Sequence, residues 1–129
     1  MSEYKARVLV DLIANKLIQH LTALEQLEEL SKNREVEPVE IGSHLSRLRG
    51  LRDSLIRDAE RALELIKGGE ILRGGESSEE LYALAGYYVE GAYHTEMRIL
   101  DRLGGVLRED HEQIERLKNV LKQVMERLE

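Results

Sequence analysis

A chain of 129 residues with 42% hydrophobic and 34% charged side chains is long enough for one domain with a real core, and its composition is that of a folded, soluble protein. The net charge of −6 excludes general nucleic-acid affinity, which needs a basic face, and the longest uncharged run falls far short of the roughly 20 apolar residues that cross a bilayer. The absence of cysteine excludes disulfides, thiolate nucleophiles and Cys-based zinc sites.

No signal peptide is expected in MSEYKARVLVDL, where Glu3 and Asp11 flank a short apolar run without a small-residue cleavage site. With the missing cysteines, this leads to the expectation of a cytoplasmic protein. Abundant Glu and Arg suit a thermophile. Without Trp or Phe, and with one Pro, the core has to be built from Leu, Ile, Val, Ala and Tyr.

Helix 1 is predicted over residues 3–30. Ala6, Val10, Ile13, Leu17, Leu24 and Leu27 recur at steps of three and four, with His20 filling the seam position between Leu17 and Leu24. Leu9, Leu12 and Leu21 widen the stripe. Helix 2 is predicted over 38–67, opened by Pro38 at a first helical position and stopped by Gly68-Gly69. Its stripe is read as Ile41, Leu45, Leu48, Leu51, Leu55, Ala59, Ala62 and Ile66, with His44 on the flank. Gly42 and Gly50 weaken it by about 1 kcal/mol each relative to Ala. Arg47, Arg49, Arg52, Arg57 and Arg61 are interleaved with Asp53, Asp58, Glu60 and Glu64, which reads as a salt-bridged surface.

The connector GGEILRGGE is flexible at two glycine pairs, with Ile71 and Leu72 expected to pin its middle to the bundle. Helix 3 is predicted over 78–103, with Ser77 and Glu80 as a capping box and Gly104-Gly105 as its stop. The Gly pair reads either as a turn or as a kink in one long helix. Two features stand out in this helix. Leu81 to Val89 carries no charge on any face, and a carboxylate, Glu96, occupies a seam position where an apolar residue is due. Helix 4, over 106–128, has the cleanest heptad: Leu107, Ile114, Leu121 and Leu128 alternate with Asp110, Leu117 and Val124. No segment alternates with period two, so the expected architecture is an all-α, antiparallel up-down-up-down four-helix bundle.

A carboxylate in a helix seam is costly unless it is paired, protonated or bound to a metal. Matching heights by distance from each turn puts His20, Glu96 and Asp110 or His111 near one level. They can form a buried hydrogen-bonded cluster that fixes the register of the bundle. They can also hold a divalent transition metal (iron, manganese or zinc), because bundle interiors are where such His and carboxylate sites are built. His94 shares a face with Glu90, Arg98 and Asp101 and reads as solvated. No nucleophile-base arrangement is visible, since the serines lie at caps and loops, and an enzyme is not the expectation.

The segment EDHEQIERL, residues 109–117, resembles the last helix of ferritin-like four-helix bundles, where a carboxylate and a histidine spaced E-x-x-H precede a similar polar-apolar run. VLVDLIANKLIQHLTALEQL in helix 1 resembles the first helix of some small members. Three residues before His111 stands Arg108 rather than Glu, and His111 with Glu115 has the H-x-x-x-E spacing found in hemerythrins. The resemblance implies the bundle fold and, as one functional reading, a ferritin-like or hemerythrin-like metal-binding protein. The other reading is a binding or scaffold module. It is expected to be a homo-oligomer, a dimer first, that associates through Leu81, Tyr82, Tyr87 and Tyr88 on the charge-free stretch. No membrane or nucleic-acid partner is expected.

Overall fold

The computed structural model describes residues 2–33, 37–103 and 106–129, with the backbone alone at residue 2. The described residues are helical apart from short connectors. The helices are α1 (Ser2–Ser31), α2 (Pro38–Lys67), α3 (Glu76–Tyr87), α4 (Tyr93–Arg102) and α5 (Arg108–Leu128). A π-helical turn, Tyr88–Ala92, joins α3 to α4, so the third rod of the bundle is one continuous helix with an over-wide turn in its middle.

Side-chain bonds between helices give their directions. Lys5 meets Glu70 at 3.7 Å and Lys16 meets Asp58, so α1 and α2 are antiparallel. Ser77 donates to Glu3, Arg7 to Glu80 and Arg98 to Glu28, so α1 runs parallel to the third rod. Arg49 reaches Asp110 and Arg116 reaches Glu60, which makes α2 and α5 parallel; Tyr82 reaches Glu129 and Tyr93 reaches Glu115, which makes the third rod and α5 antiparallel. The chain therefore runs up-down-up-down. Around the bundle, α1 packs on α2 and the third rod, and α5 packs on the same two. The sequential pair α2 and α3 thus lies on a diagonal, bridged by the connector over residues 68–75.

That connector is shaped by Gly69 and Gly74, whose φ angles of 77° and 80° lie where a Cβ would be strained. Ile71 is buried in the core and does pin the connector, whereas Leu72 is exposed. The expected capping box in front of helix 3 does not form. The helix begins at Glu76, the Ser77 hydroxyl donates to Glu3 at 2.6 Å, and the Ser78 hydroxyl donates to the Gly75 carbonyl at 2.8 Å. The other end of this rod is set by Leu103, which is extended at φ −90° and ψ 137°. The question of a turn or a kink at Gly104-Gly105 lies outside the described residues. Leu107, expected in the heptad of the last helix, precedes it and is half exposed, and α5 starts at Arg108.

The core is in two apolar pieces. One is built around Val10, Ile13, Leu17, Leu55, Ala59, Leu81, Tyr88, Leu117 and Leu121. The other is built around Leu24, Leu27, Leu45, Leu48, Ile99, Leu100 and Ile114. On α1, α2 and α4 the residue that falls between the two pieces is polar: His20, Arg52 and Glu96 respectively, each fully buried.

Candidate functional site

The polar layer starts from the phase of each helix. On α1 the seam Leu17, His20, Leu24 steps by three and four, so His20 has to point inward. On α2 the buried set Leu45, Leu48, Arg52, Leu55, Ala59, Ala62 is a strict heptad seam with Arg52 as its one charged member. The stripe read through Leu51 is off by one residue at that point: Leu51 is only partly buried, and Arg52 takes the inner position. In the third rod, Tyr88 and Glu96 are eight residues apart, which overshoots two α-helical turns by about 80°. The π-helical turn absorbs that excess and keeps both side chains facing the centre.

Glu96 is the hub. Its Oε2 accepts from His20 Nε2 at 3.0 Å and from Arg52 Nε at 2.9 Å, and its Oε1 accepts from the Tyr88 hydroxyl at 3.0 Å. Because Tyr88 holds Oε1, the guanidinium engages this carboxylate through Nε alone, and Arg52 Nη2 has no partner among the described residues. On its other side, Arg52 Nη1 donates to Asp110 at 3.0 Å and to the Gln113 carbonyl oxygen at 2.7 Å. Asp110 is held further by Arg49 in a two-pronged contact of 2.7 and 2.9 Å, and accepts the Leu107 backbone N–H at 3.2 Å, the first free donor of α5. Gln113 closes the circuit by donating to the Arg49 carbonyl at 3.0 Å. All four rods contribute.

Two carboxylates and two guanidiniums balance in charge. Burial pushes the Glu96 carboxyl upward, but hydrogen bonding and charge from His20 and Arg52 outweigh it and hold the group below its ordinary range. Burial likewise opposes ionisation of Asp110, and the bonds from Arg49 and Arg52 overcome it. Burial first, then the Glu96 charge, raises the Tyr88 phenol well above its usual value, so it stays protonated and donates. With Glu96 ionised, His20 Nε2 carries the proton it donates; His20 Nδ1 is buried without a partner among the described residues.

His20, Arg52, Tyr88, Glu96 and Asp110 are fully buried. The network comes to the surface at Arg49, one third exposed, and at the partly buried Gln113, which with Asp110, Asp53, Glu109 and Glu112 line a groove of about 320 Å³ between α2 and α5.

Of the expected metal ligands, His20 and Glu96 meet, and Asp110 joins them through Arg52 rather than through an ion. His111 stands apart, on an open outer face of α5 beside Arg108 and Glu115. Among the described residues, no group of three or more His, Asp and Glu side chains is arranged to hold a metal ion. The guanidinium of Arg52 is the cation between the two carboxylates. Of the expected interface residues, Leu81 and Tyr88 are inside the monomer and unavailable to a partner. Tyr82 and Tyr87 are partly exposed, on flanks that face α5 and α1: Tyr82 bonds to Glu129, and Tyr87 lies in the field of Glu25. His94 is exposed, as expected, with its ring edge on Tyr93.

Comparison with known proteins gives no match: no family model, curated protein or solved structure is significantly similar to this chain.

Proposed function

We propose that the protein is a non-catalytic binding or scaffold module that works as a self-associating helical bundle. The observation that carries this reading is the distribution of exposed apolar side chains. Five of the large ones, Tyr4, Val8, Leu12, Ile18 and Leu21, lie on α1. Tyr4, Val8 and Leu12 form an i, i+4, i+8 ridge, the kind that packs into the groove of another helix. Beside that ridge runs a groove of about 260 Å³ lined by Leu9, Asp58, Arg61 and Leu65. A ridge next to its own groove suits a twofold contact, in which each copy offers both elements to the other. We place the surface on α1 rather than α3, where Leu81, Ala85 and Tyr88 of the charge-free stretch are buried in the core.

Sedimentation equilibrium at micromolar concentration is the test. The wild type is expected to be a dimer, and Val8→Glu with Leu12→Glu to be a folded monomer. A monomeric wild type would overturn the reading. Elemental analysis tests the metal-binding alternative. No stoichiometric transition metal is expected, and added zinc or manganese is expected to leave the melting temperature unchanged, since a ligand specific to the folded state would raise it.

A further inference from the structure

Within the third rod, the backbone departs from the α-helix in one place. The Tyr93 N–H donates to the Tyr88 carbonyl, five residues back, across the turn Tyr88–Ala92. Single π-helical turns of this kind are uncommon and are found often at functional positions. Proline, which would force an irregularity, is absent from the turn, and Gly91 is not there to avoid a clash, since a Cβ on it would meet nothing within 4 Å. Gly91 loosens the helix at this point but does not by itself call for an extra residue. The seam does. Its steps run four from Leu81 to Ala85 and three to Tyr88, then four to Ala92 and four again to Glu96. Two successive steps of four put Glu96 about 80° past Tyr88 on a straight α-helix; Leu9, Ile13 and Leu17 on α1 are all buried at that spacing, but here the two side chains also have to meet in one hydrogen bond.

We propose that the π-helical turn is a one-residue phase insertion held open by the Glu96 hub, and that emptying the hub lets the turn relax and rotates Tyr93–Arg102 against Glu76–Tyr87. The hub supplies the force for this. Glu96 is bound from α1 by His20, from α2 by Arg52 and from its own rod by Tyr88, so its position is fixed from three directions. Without that grip, the local preference of the backbone is the ordinary i→i+4 ladder, and restoring it turns the upper segment, with the buried Ile99 and Leu100, by about 80–100°. The same segment carries the Tyr93 bond to Glu115 on α5 and the Arg98 bond to Glu28 on α1, so a change at the centre is transmitted to two helix faces.

Deleting Gly91 provides a direct test. Seven α-helical residues from Tyr88 to Glu96 rise about 10.5 Å and return to nearly the same face, so the hub can form on a straight rod. The deletion variant is expected to fold, to melt within a few degrees of the wild type or above it, and to keep the Arg52–Glu96 coupling in a double-mutant cycle. Deletion of the exposed Ala83, in the regular part of α3, is expected to unfold the protein. Through-hydrogen-bond NMR couplings give the second readout. In the wild type the Tyr93 amide couples to the Tyr88 carbonyl; in Glu96→Gln it is expected to couple to the Val89 carbonyl instead. A folded Glu96→Gln that keeps the Tyr88 coupling would overturn the proposal. So would a Gly91 deletion that unfolds or loses the Arg52–Glu96 coupling, and this arm decides the matter if Glu96→Gln does not fold.

Discussion

Removing Arg52 leaves Glu96 and Asp110 as two buried carboxylates with one guanidinium, Arg49, at the rim. Breaking a buried pair from one side costs about 3–5 kcal/mol, whereas replacing both partners by apolar groups is often far less costly. Arg52→Met is therefore expected to lower the unfolding free energy by about 3–5 kcal/mol. The double variant Arg52→Met, Glu96→Leu is expected to be more stable than Arg52→Met alone, as read by urea denaturation. A double variant with the full sum of the single losses would show that the two side chains do not act as a pair. Tyr88→Phe removes one hydrogen bond to a charged acceptor and should cost about 1.5–3 kcal/mol. At this scale the sequence was half legible. Glu96 and His20 announced themselves because each interrupts an otherwise apolar seam. Arg52 interrupts one as well, between Leu48 and Leu55, but Leu51 beside it offered an apolar substitute, and four other arginines interleaved with acids made the set look like a solvated face. The heptad phase of Leu45, Leu48, Leu55, Ala59 and Ala62 was the signal that could have singled it out.

Helices were the most legible elements because their signals are local. Pro38 and Gly68 bound α2 where expected, and α1 extends one residue beyond its predicted ends on each side. The π-helical turn leaves only a faint mark in the sequence, the double step of four through Ala92; the extra residue of phase shows only once partners fix both Tyr88 and Glu96. The diagonal placement of α2 and α3 had no sequence signal, because an eight-residue connector spans a diagonal as readily as an edge. One consequence can be measured within α2. Gly42 and Gly50 are exposed in the helix interior, and a Cβ at either would meet nothing within 4 Å. Glycine there only adds unfolded-state freedom, so Gly42→Ala and Gly50→Ala are each expected to stabilise by roughly 0.5–1 kcal/mol. Gly69→Ala, by contrast, forces a Cβ into the left-handed region and should destabilise by about 1–2 kcal/mol. Opposite signs in the urea midpoints would confirm the assignment, and a loss at Gly50 would mean that the α2 backbone is not the regular helix described.

For the molecule as a whole, one polar layer joins four rods, so its ionisation is coupled to the stability of the entire bundle. The carboxyls of Glu96 and Asp110 titrate below their ordinary range when folded. In the unfolded chain they titrate near pH 4. Between those values the unfolded state binds more protons, and stability rises with pH. The contribution is therefore complete above about pH 5 and disappears as the pH falls through 4 and on through the folded-state values. Tyr88 works in the opposite sense. Its phenol is raised by burial and by Glu96, so its contribution is complete below the unfolded value of about 10 and is lost as the pH climbs past it. Urea midpoints measured from pH 2.5 to 11 are expected to fall at both ends. Glu96→Gln and Asp110→Asn, each less stable at neutral pH, should lose less than the wild type on acidification, because each lacks one carboxyl that must be protonated. Tyr88→Phe should flatten the alkaline limb alone. Acid limbs of equal depth in the wild type and both amide variants would place the acid sensitivity elsewhere, in the exposed Asp and Glu pairs on the outside of the bundle.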